Sequence, residues 1–269
     1  MEKLLVVERA YGNGSWALYD GRDRIAGGGF GAGLPRAPGW FAEVVAGLSA
    51  VGVVPQSLDV LLAGTGPGSF SGIRSVLAAL QGLALPRGIP VLGLSSAAAL
   101  ARSVALAHGA ETVAVIGDAR RGTLWSAVCD VAASGEVAYR GNVENVEAPL
   151  RGSLNSVEAP LRGSLNNVST SSTPSTPSTP STSSTPSTFS PFTLSTPAEL
   201  PSAVPQGALV VSPEYSHLAQ TLSTLQGVQV VAEDLHPSAE DLAALYFSNP
   251  AAAVRDPLPI YLHPAVVTR

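Results

Sequence analysis

Residues 64–84 read GTGPGSFSGIRSVLAALQGLA, and this stretch decides the fold. It begins at the end of the apolar run DVLLAG at 59–64, which is typical of a buried strand, and it continues into a helix-forming segment at 71–84. A glycine-rich turn between a strand and a helix often holds a phosphate, because backbone amides at a helix N-terminus favour anions. The first question is therefore whether this turn binds a nucleotide.

Three common uses of such a turn are excluded by its own residues. A P-loop needs a lysine, whereas Arg74 follows the last glycine of the turn and the only lysine is Lys3. The dinucleotide fingerprint GxGxxG fails because its last glycine would be Ser69 or Ser71, and a nucleophile elbow fails because Phe70 occupies the serine position. We therefore predict a helix start capped by one of these serines, with a weak anion site as the alternative.

The composition describes a globular protein with a substantial core. Hydrophobic residues make up 45% of the 269 residues and charged residues 13%. The net charge of −5 argues against nonspecific nucleic-acid binding, which needs clustered Lys and Arg. Cys129 is the single cysteine, so an internal disulfide is excluded. With no signal peptide or membrane span expected, the sequence predicts a cytoplasmic protein.

A segment of different character lies at 140–196. It opens with three eleven-residue repeats, RGNVENVEAPL, RGSLNSVEAPL and RGSLNNVSTSS, and continues as a Ser/Thr/Pro tract. Such a composition has little apolar surface to bury, so we expect a disordered surface insertion without a fold. A mucin-like stalk or a docking tract is the alternative.

Outside this insert, the pattern predicts an α/β fold with a mixed sheet and helices packed on it. The predicted strands are 4–7, 15–20, 24–29, 59–64, 91–95, 112–119, 123–132 and 208–212. The predicted helices are 38–50, 71–84, 96–108 and two near 215–226 and 237–247.

The chain offers few candidates for chemistry. Asp118 and Arg120 at a strand end predict an ion pair that pins a turn, with a polar site as the alternative. Glu8, at the end of the first strand, could take part in catalysis, although charge balance with Arg9 also explains it. No metal site is predicted, since no two histidines share a helical face; they stand at His108, His217, His236 and His263.

Two helices carry a second face of small, uncharged residues opposite their apolar stripes. In the helix at 71–84 these residues are Ser71, Ser75, Ala78, Ala79 and Gly82, with Arg74 and Gln81 nearby. In the helix at 38–50 they are Ala42, Ala46, Gly47 and Ala50, opposite Trp40, Phe41, Val44, Val45 and Leu48. Small residues let another helix approach closely, so both faces predict a protein interface. Packing of these helices on each other or on a third helix is the alternative.

The quoted stretch resembles the signature GxGPGSFTGxRxGxxxAxGLA of the TsaB (YeaZ) family, the partner subunit in bacterial threonylcarbamoyladenosine tRNA modification. The similarity continues through IPVLGLSSAAALA (89–101), VIGDARRGTLWSAV (115–128) and PIYLHP (259–264). By position, the matching signature residues are Gly66, Pro67, Gly68, Ser69, Phe70, Gly72 and Arg74, with Ser71 where Thr is usual. The second motif matches at Asp118, Ala119, Arg120 and Gly122. Glu8-Arg9 departs from the family's usual Asp-Thr.

The resemblance implies a two-lobed sugar-kinase/heat-shock-ATPase/actin-like fold. The expected N-terminal lobe is 1–110, and the expected C-terminal lobe combines 111–139 with 197–269. The implied function is a noncatalytic scaffold without a cofactor that binds and activates a TsaD-like catalytic subunit. The alternative is a small-molecule kinase or a peptidase-like enzyme of the same fold.

The implied partner-binding surface is formed by the two small-faced helices. A homodimer through the same face is the expected resting form. A TsaE-like ATPase is a further expected partner, tRNA is reached only through the complex, and no membrane is involved. The expected partner-binding residues are Ala42, Ala46, Gly47, Ser71, Gly72, Arg74, Ser75, Ala78, Ala79 and Gly82.

Overall fold

A computed structural model describes residues 1–12, 14–30, 39–140 and 191–262. Its strands are β1 (Lys3–Glu8), β2 (Ser15–Asp20), β3 (Asp23–Gly29), β4 (Val60–Gly64), β5 (Val91–Leu94), β6 (Thr112–Arg120), β7 (Thr123–Val131), β8 (Val137–Tyr139), β9 (Thr193–Ser195), β10 (Leu209–Ser212), β11 (Gln229–Asp234) and β12 (Val254–Arg255). Its α-helices are α1 (Gly39–Ala50), α2 (Phe70–Ala84), α3 (Ser96–His108), α4 (Leu200–Ala203), α5 (Tyr215–Leu222) and α6 (Ala239–Ser248).

The first sheet has the strand order β12-β5-β4-β1-β2-β3. β1, β2 and β3 form an antiparallel meander, whereas β4 pairs parallel to both β1 and β5. The central strands β1 and β4 are continuous apolar runs because both faces of the sheet are covered. α1 and α2 pack on one face, and α3 and α6 pack on the other.

The second sheet has the order β11-β10-β6-β7, and both β8 and β9 pair with the far edge of β7. Like the first sheet, it combines antiparallel strands with two parallel neighbours. α4 and α5 cover one face, and the other face packs on α3. α3 therefore contacts both sheets, and its alanine-rich sequence keeps it thin enough to do so: Ala98 and Ala99 belong to one core, Ala101 and Ala105 to the other.

The predicted α/β architecture is confirmed, and each predicted strand and helix is present with its ends shifted by a few residues. Four short strands, β8, β9, β11 and β12, and the four-residue helix α4 were not predicted. Two to six residues carry too few alternating positions to give a pattern, and such elements depend on the neighbour that they pair with. The predicted lobe boundaries stay a prediction. We note that α6 and β12, both after residue 197, pack with the first sheet.

β8 and β9 are two halves of one edge strand. β8 pairs Tyr139 with Cys129, and β9 pairs Thr193 with Ser126, both antiparallel to β7. An unbroken strand would reach the partner of Ser126 three residues after Tyr139, so Thr193 stands where residue 142 would otherwise stand. The sequence prediction that the whole of 140–196 lies outside the fold is therefore wrong at its C-terminal end, where β9 forms.

Of the helices within the described ranges, none combines the length and the apolar character that a membrane crossing requires.

Candidate functional site

The signature loop, residues 65–69, joins the end of β4 to the start of α2. The Ser69 hydroxyl accepts a hydrogen bond from the backbone N–H of Gly72 at 3.2 Å, so Ser69, one of the two serines predicted as candidates, is the N-cap. Gly66 has a φ of 92°, a left-handed conformation that favours glycine. The loop geometry thus follows directly from the residue types of the signature.

Three backbone amides of the signature loop, those of Thr65, Gly66 and Ser69, donate to other atoms of the protein. Ser69 N–H donates to the Ala10 carbonyl at 2.7 Å, and Gly66 N–H donates to the Ser96 hydroxyl at 3.0 Å. Gly68 lies so close to Ala10 that a side chain at position 68 would overlap the Ala10 backbone. These three amides are therefore engaged within the fold, and the weak anion site at the start of α2 stays an alternative.

Glu8, the last residue of β1, is fully buried and holds three elements together. Its carboxylate accepts hydrogen bonds from the backbone N–H groups of Arg9 and Ala10 and from the Ser96 hydroxyl, the latter at 2.8 Å. Since Ser96 also accepts from Gly66, the end of β1, the start of α3 and the signature loop share one network. Burial raises the pKa of Glu8 to about 7, and the hydrogen bonds oppose that rise.

Arg9 does not balance the charge of Glu8, so that sequence interpretation is wrong. Its Nη1 donates to the Ser75 hydroxyl at 3.1 Å, and its guanidinium lies 5.5 Å from the ring centroid of Trp40 and 6.0 Å from that of Phe30. In the part of the chain that the structure describes, Arg9 makes no ion pair. The Glu8 carboxylate is satisfied by hydrogen bonds instead.

The outer face of α2 is small, uncharged and accessible along most of the helix. Ser71, Ala78 and Gly82 are exposed, whereas Ser75 and Ala79 are half-buried. A side chain added at Gly82 would meet no atom within 4 Å. The structure therefore brings these five predicted residues together on one side of α2. Most of this side is accessible among the described residues.

Two glycines of the predicted partner-binding set make close contacts with other parts of the fold instead. Gly72 is buried, and a side chain there would overlap the carbonyl oxygen of Arg9. Gly47 packs against the indole of Trp16, and a side chain there would overlap that ring. The outer position predicted for Gly47 is therefore wrong, and Gly72, predicted only as a partner-binding residue, is covered by the chain at Arg9.

α1 presents a shorter face of the same kind. Val44 and Leu48 are buried in the core, and Ala42 and Ala46 are exposed on the opposite side. Val45, predicted in the apolar stripe, is 36% exposed. The buried stripe of α1 is therefore narrower than predicted, and Val45 adds apolar area to the accessible surface.

An exposed aromatic cluster stands at the start of α2. Phe70 is 53% exposed and Tyr261 57% exposed, with their ring centroids 5.7 Å apart. The Arg74 guanidinium lies 4.8 Å from the Phe70 ring centroid. Ile260 N–H donates to the Thr65 carbonyl at 3.0 Å, which holds the chain near Tyr261 against the signature loop. The sequence singled out Phe70 and Arg74 as site residues, whereas Tyr261 appeared only within the matching stretch PIYLHP and was given no role.

The second motif forms a tight polar turn at the end of β6. The Asp118 carboxylate accepts hydrogen bonds from the Arg120 backbone N–H at 2.6 Å and from Arg120 Nη1 at 2.7 Å, which confirms the predicted ion pair. Glu214 accepts from Asp118 N–H at 2.9 Å. Gly122 completes the turn with a φ of 75°. Sequence reasoning missed Glu214, although it follows β10, whose parallel neighbour is β6.

Tyr11 packs against both the first-sheet core and the second-sheet core. Its ring stacks on His236 with a centroid distance of 6.3 Å, and its hydroxyl accepts a hydrogen bond from the Trp125 indole. Burial raises the pKa of the Tyr11 hydroxyl well above its usual range. No sequence pattern pointed to Tyr11, since it lies in the connection between β1 and β2.

The described residues contain no group of three His, Cys, Asp or Glu side chains placed to hold a metal ion. His108 lies on α3, His217 on α5 and His236 after β11, whereas His263 is outside the described residues. Burial raises the pKa of the Cys129 thiol to about 12, so this free cysteine stays protonated near neutral pH.

Comparisons with known sequences match part of the chain. A family model described as TsaD, tRNA N6-adenosine threonylcarbamoyltransferase, matches residues 43–144. The tRNA threonylcarbamoyladenosine biosynthesis protein TsaB of Escherichia coli K12 is 35% identical over 78 residues, which are 29% of this chain and 34% of that protein. The protein of the same name from Haemophilus influenzae is 40% identical over 65 residues, 24% of this chain and 28% of that protein. The chain thus matches about a third of the length of these relatives.

Two solved structures from Pseudomonas aeruginosa share the fold. One, described as an uncharacterized protein with similarity to the peptidase YeaZ, superposes with a TM-score of 0.68 at 22% identity and covers 98% of this chain and 100% of its own. The other, described as YeaZ, gives a TM-score of 0.65 at 22% identity, with coverages of 97% and 100%. This likeness confirms the fold class that the resemblance implied. The chain is therefore similar in sequence to TsaB proteins over about a quarter of its own length, and it has the fold of the two YeaZ-like structures.

Proposed function

We propose that this chain is a noncatalytic subunit in the biosynthesis of N6-threonylcarbamoyladenosine at adenosine 37 of tRNA, where it binds and activates a TsaD-like catalytic subunit. The names of the curated relatives support this pathway, and the matching family model is described by the transferase itself. The observation that carries the proposal is the exposed, small-residue face of α2.

This face fits a partner helix better than it fits water. Ser71 and Gly82 mark its ends, which are about 16 Å apart at the helical rise of about 1.5 Å per residue. A helix that faces only solvent usually carries Lys and Glu, whereas Arg74 is the charged residue that α2 presents. Small side chains let a second helix approach to the short end of the usual axial range of about 8–10 Å.

α1 extends the same surface. It packs on the same face of the first sheet as α2, and both contribute to one hydrophobic core. Its exposed Ala42, Val45 and Ala46 are small or apolar, like the outer residues of α2. We define the two-helix surface as the exposed faces of α1 and α2, and we propose that the TsaD-like subunit docks there.

The remaining partners follow from the same proposal. A homodimer through the two-helix surface serves as a resting form that the TsaD-like subunit displaces. A TsaE-like ATPase joins the complex, and tRNA contacts the complex rather than this chain alone. The net charge of −5 supports this last point, because a chain that bound tRNA by itself would need a basic surface.

The noncatalytic part of the proposal is supported by the hydrogen bonds that the carboxylates of Glu8 and Asp118 accept within the fold. The Glu8 carboxylate accepts hydrogen bonds within the network under the signature loop, and the Asp118 carboxylate accepts from Arg120, while the Asp118 backbone N–H donates to the Glu214 carboxylate. Saturable ATP turnover by the isolated chain would instead favour the kinase alternative.

Co-purification with the TsaD-like subunit of the same cell tests the proposal. Gly82→Arg and Ala78→Arg place a large charged side chain on the two-helix surface, and Ala133→Arg places the same side chain on an exposed residue after β7. We expect a one-to-one pair with the unaltered chain and with Ala133→Arg, and none with the other two variants, at equal melting temperatures. Pairing by all variants would show that the surface is wrong. No pairing by the unaltered chain would overturn the function.

A further inference from the structure

The Arg9 side chain contacts both helices of the two-helix surface, although it belongs to neither. Its Nη1 donates to Ser75 of α2 at 3.1 Å, and its guanidinium lies 5.5 Å from the ring centroid of Trp40 in α1. Residue 9 follows β1 directly, so this side chain extends from the central strand of the sheet toward both helices.

On the α2 side, residue 9 supports the first turn in two ways. The Ser75 hydroxyl donates to the Gly72 carbonyl at 2.7 Å, which leaves its lone pairs free to accept from Arg9. The Gly72 Cα packs against the Arg9 carbonyl, where no side chain would fit. The backbone and the side chain of Arg9 therefore fix the same turn of α2.

On the α1 side, Arg9 contacts the part of the helix that is least anchored by the core. The buried core residues of α1 are Val44 and Leu48, beyond its first turn. Trp40 in the first turn is half-buried, and it packs edge-on against Phe30 at 5.6 Å. The Arg9 guanidinium lies over both rings, so it completes the packing of this turn.

We propose that Arg9 is a positioning residue that sets how α1 and α2 lie relative to each other and thereby shapes the two-helix surface. Arginine suits this place because a planar guanidinium can stack on an aromatic ring while its edge donates to a hydroxyl, which the ammonium group of lysine cannot do. The consequence for partner binding rests on the proposed function, whereas the effect on the helices is measurable in the chain alone.

Hydrogen exchange of the full-length chain without a partner tests the geometric part. Arg9→Ala should raise the exchange rate of the amides in the first two turns of α1 about tenfold, and Arg9→Lys should raise it nearly as much. Arg22→Ala is a matched control, because Arg22 also lies 5.5 Å from an aromatic ring, that of Phe247, and donates to a backbone carbonyl, but away from α1 and α2. Unchanged exchange in α1 of both Arg9 variants would overturn the proposal.

Partner affinity tests the functional part. Arg9→Ala should weaken binding of the TsaD-like subunit about tenfold. Ser75→Ala removes the hydrogen bonds of the Ser75 hydroxyl but keeps the contact of Arg9 with the aromatic rings, so it should weaken binding less. Full affinity in a variant with faster α1 exchange would show that Arg9 does not shape the binding surface. If the unaltered chain does not pair, the proposed function fails, and the exchange result still decides whether Arg9 positions the helices. If Arg9→Ala does not fold, the exchange rates of α1 and the partner affinity are measured with Arg9→Lys and Ser75→Ala instead.

Discussion

The carboxylate of Glu8 occupies the space in which residue 64 would otherwise carry its side chain. A Cβ added to Gly64 would overlap Glu8 Oε2 and would lie 2.8 Å from the Ser96 hydroxyl oxygen. β1 and β4 are parallel neighbours, so the two residues meet where these strands end. The glycine at the end of β4 is therefore linked to the buried acid at the end of β1.

Replacement of this glycine should destabilise the fold. We expect Gly64→Ala to lower the free energy of unfolding by about 2–3 kcal/mol, because the new methyl group displaces a buried, hydrogen-bonded carboxylate. Gly82→Ala is the matched control: its Cβ meets open space within a helix, so it should raise the free energy of unfolding by up to about 1 kcal/mol. Urea unfolding of both variants measures the difference, and a shift of the same sign in both would contradict the argument.

Glu8 should make the stability of the protein depend on pH near neutrality. Burial raises its folded pKa from 4.5 to about 7, and the Asp241 carboxylate adds to this rise. The folded protein thus binds the proton more tightly than the unfolded chain does. The stabilising contribution is complete below pH 4.5 and is lost as the pH rises through 7, a total loss of about 3 kcal/mol.

Comparison with Glu8→Gln isolates this contribution. Glutamine keeps the length of the side chain but does not titrate. All other groups titrate in both proteins, so the difference between their pH profiles reports on Glu8. Between pH 5 and pH 8, the stability of the unaltered protein relative to Glu8→Gln should fall by about 2–3 kcal/mol in urea unfolding. Parallel pH profiles of the two proteins would mean that Glu8 does not titrate in this window.

Deletion of residues 141–191 should restore an unbroken edge strand. The deletion joins Arg140, whose N–H donates to the Val128 carbonyl at 2.7 Å, to Phe192, which then lies opposite Ala127. Tyr139 and Phe192 already pack against the same core with their rings 5.8 Å apart, as alternate residues of one strand should. We expect the free energy of unfolding in urea to be about 1–3 kcal/mol higher after the deletion, because folding no longer has to bring together two strand halves that are separated by 51 residues of chain.

A second deletion of equal length provides the control for this register. Removal of 142–192 keeps Gly141 in the place of Phe192, so the strand keeps its register but loses the ring that packs on Trp125 at 5.9 Å. This variant should be less stable than the first by about 3–5 kcal/mol. Equal stability of the two deletions would show that Phe192 does not continue the strand of Tyr139.

A substitution in the turn between β6 and β7 should raise the stability of the protein. Arg121 and Gly122 connect the paired residues Arg120 and Thr123, and their φ values are 56° and 75°. Asparagine tolerates this left-handed conformation better than arginine does, so Arg121→Asn should stabilise the protein by about 0.5–1 kcal/mol. Thermal unfolding measures the gain, and Arg121→Val should lower the melting temperature. A lower melting temperature for the asparagine variant would contradict the conformational argument.

The sequence predicted α2 well because several signals agree there. Ser69 is a suitable cap, the apolar residues recur with helical spacing, and the small residues of the opposite face include Ala78 and Gly82. Each signal is local, so no information about distant residues was needed. The same reasoning identified the Asp118–Arg120 pair, whose members are two residues apart.

Other parts of the site depend on contacts that no local pattern shows. Gly47, Gly72 and Gly82 are the same residue type on helices, yet the first two make close contacts inside the fold and the third faces open space. Which case applies depends on what the rest of the chain places opposite the glycine. Glu214 and Tyr11 join the site through tertiary contacts with residues more than ninety positions away, and for that reason sequence reasoning missed them.

The divided edge strand also offers a site at which another protein domain can be inserted. Arg140 and Phe192 lie opposite adjacent residues of β7. A domain inserted between them therefore needs only N- and C-termini that lie close together. The chain would enter and leave the inserted domain at the edge of the second sheet, and no core side chain would be displaced. A fluorescent protein or an affinity domain inserted at this position would label the intact molecule and leave the two-helix surface accessible.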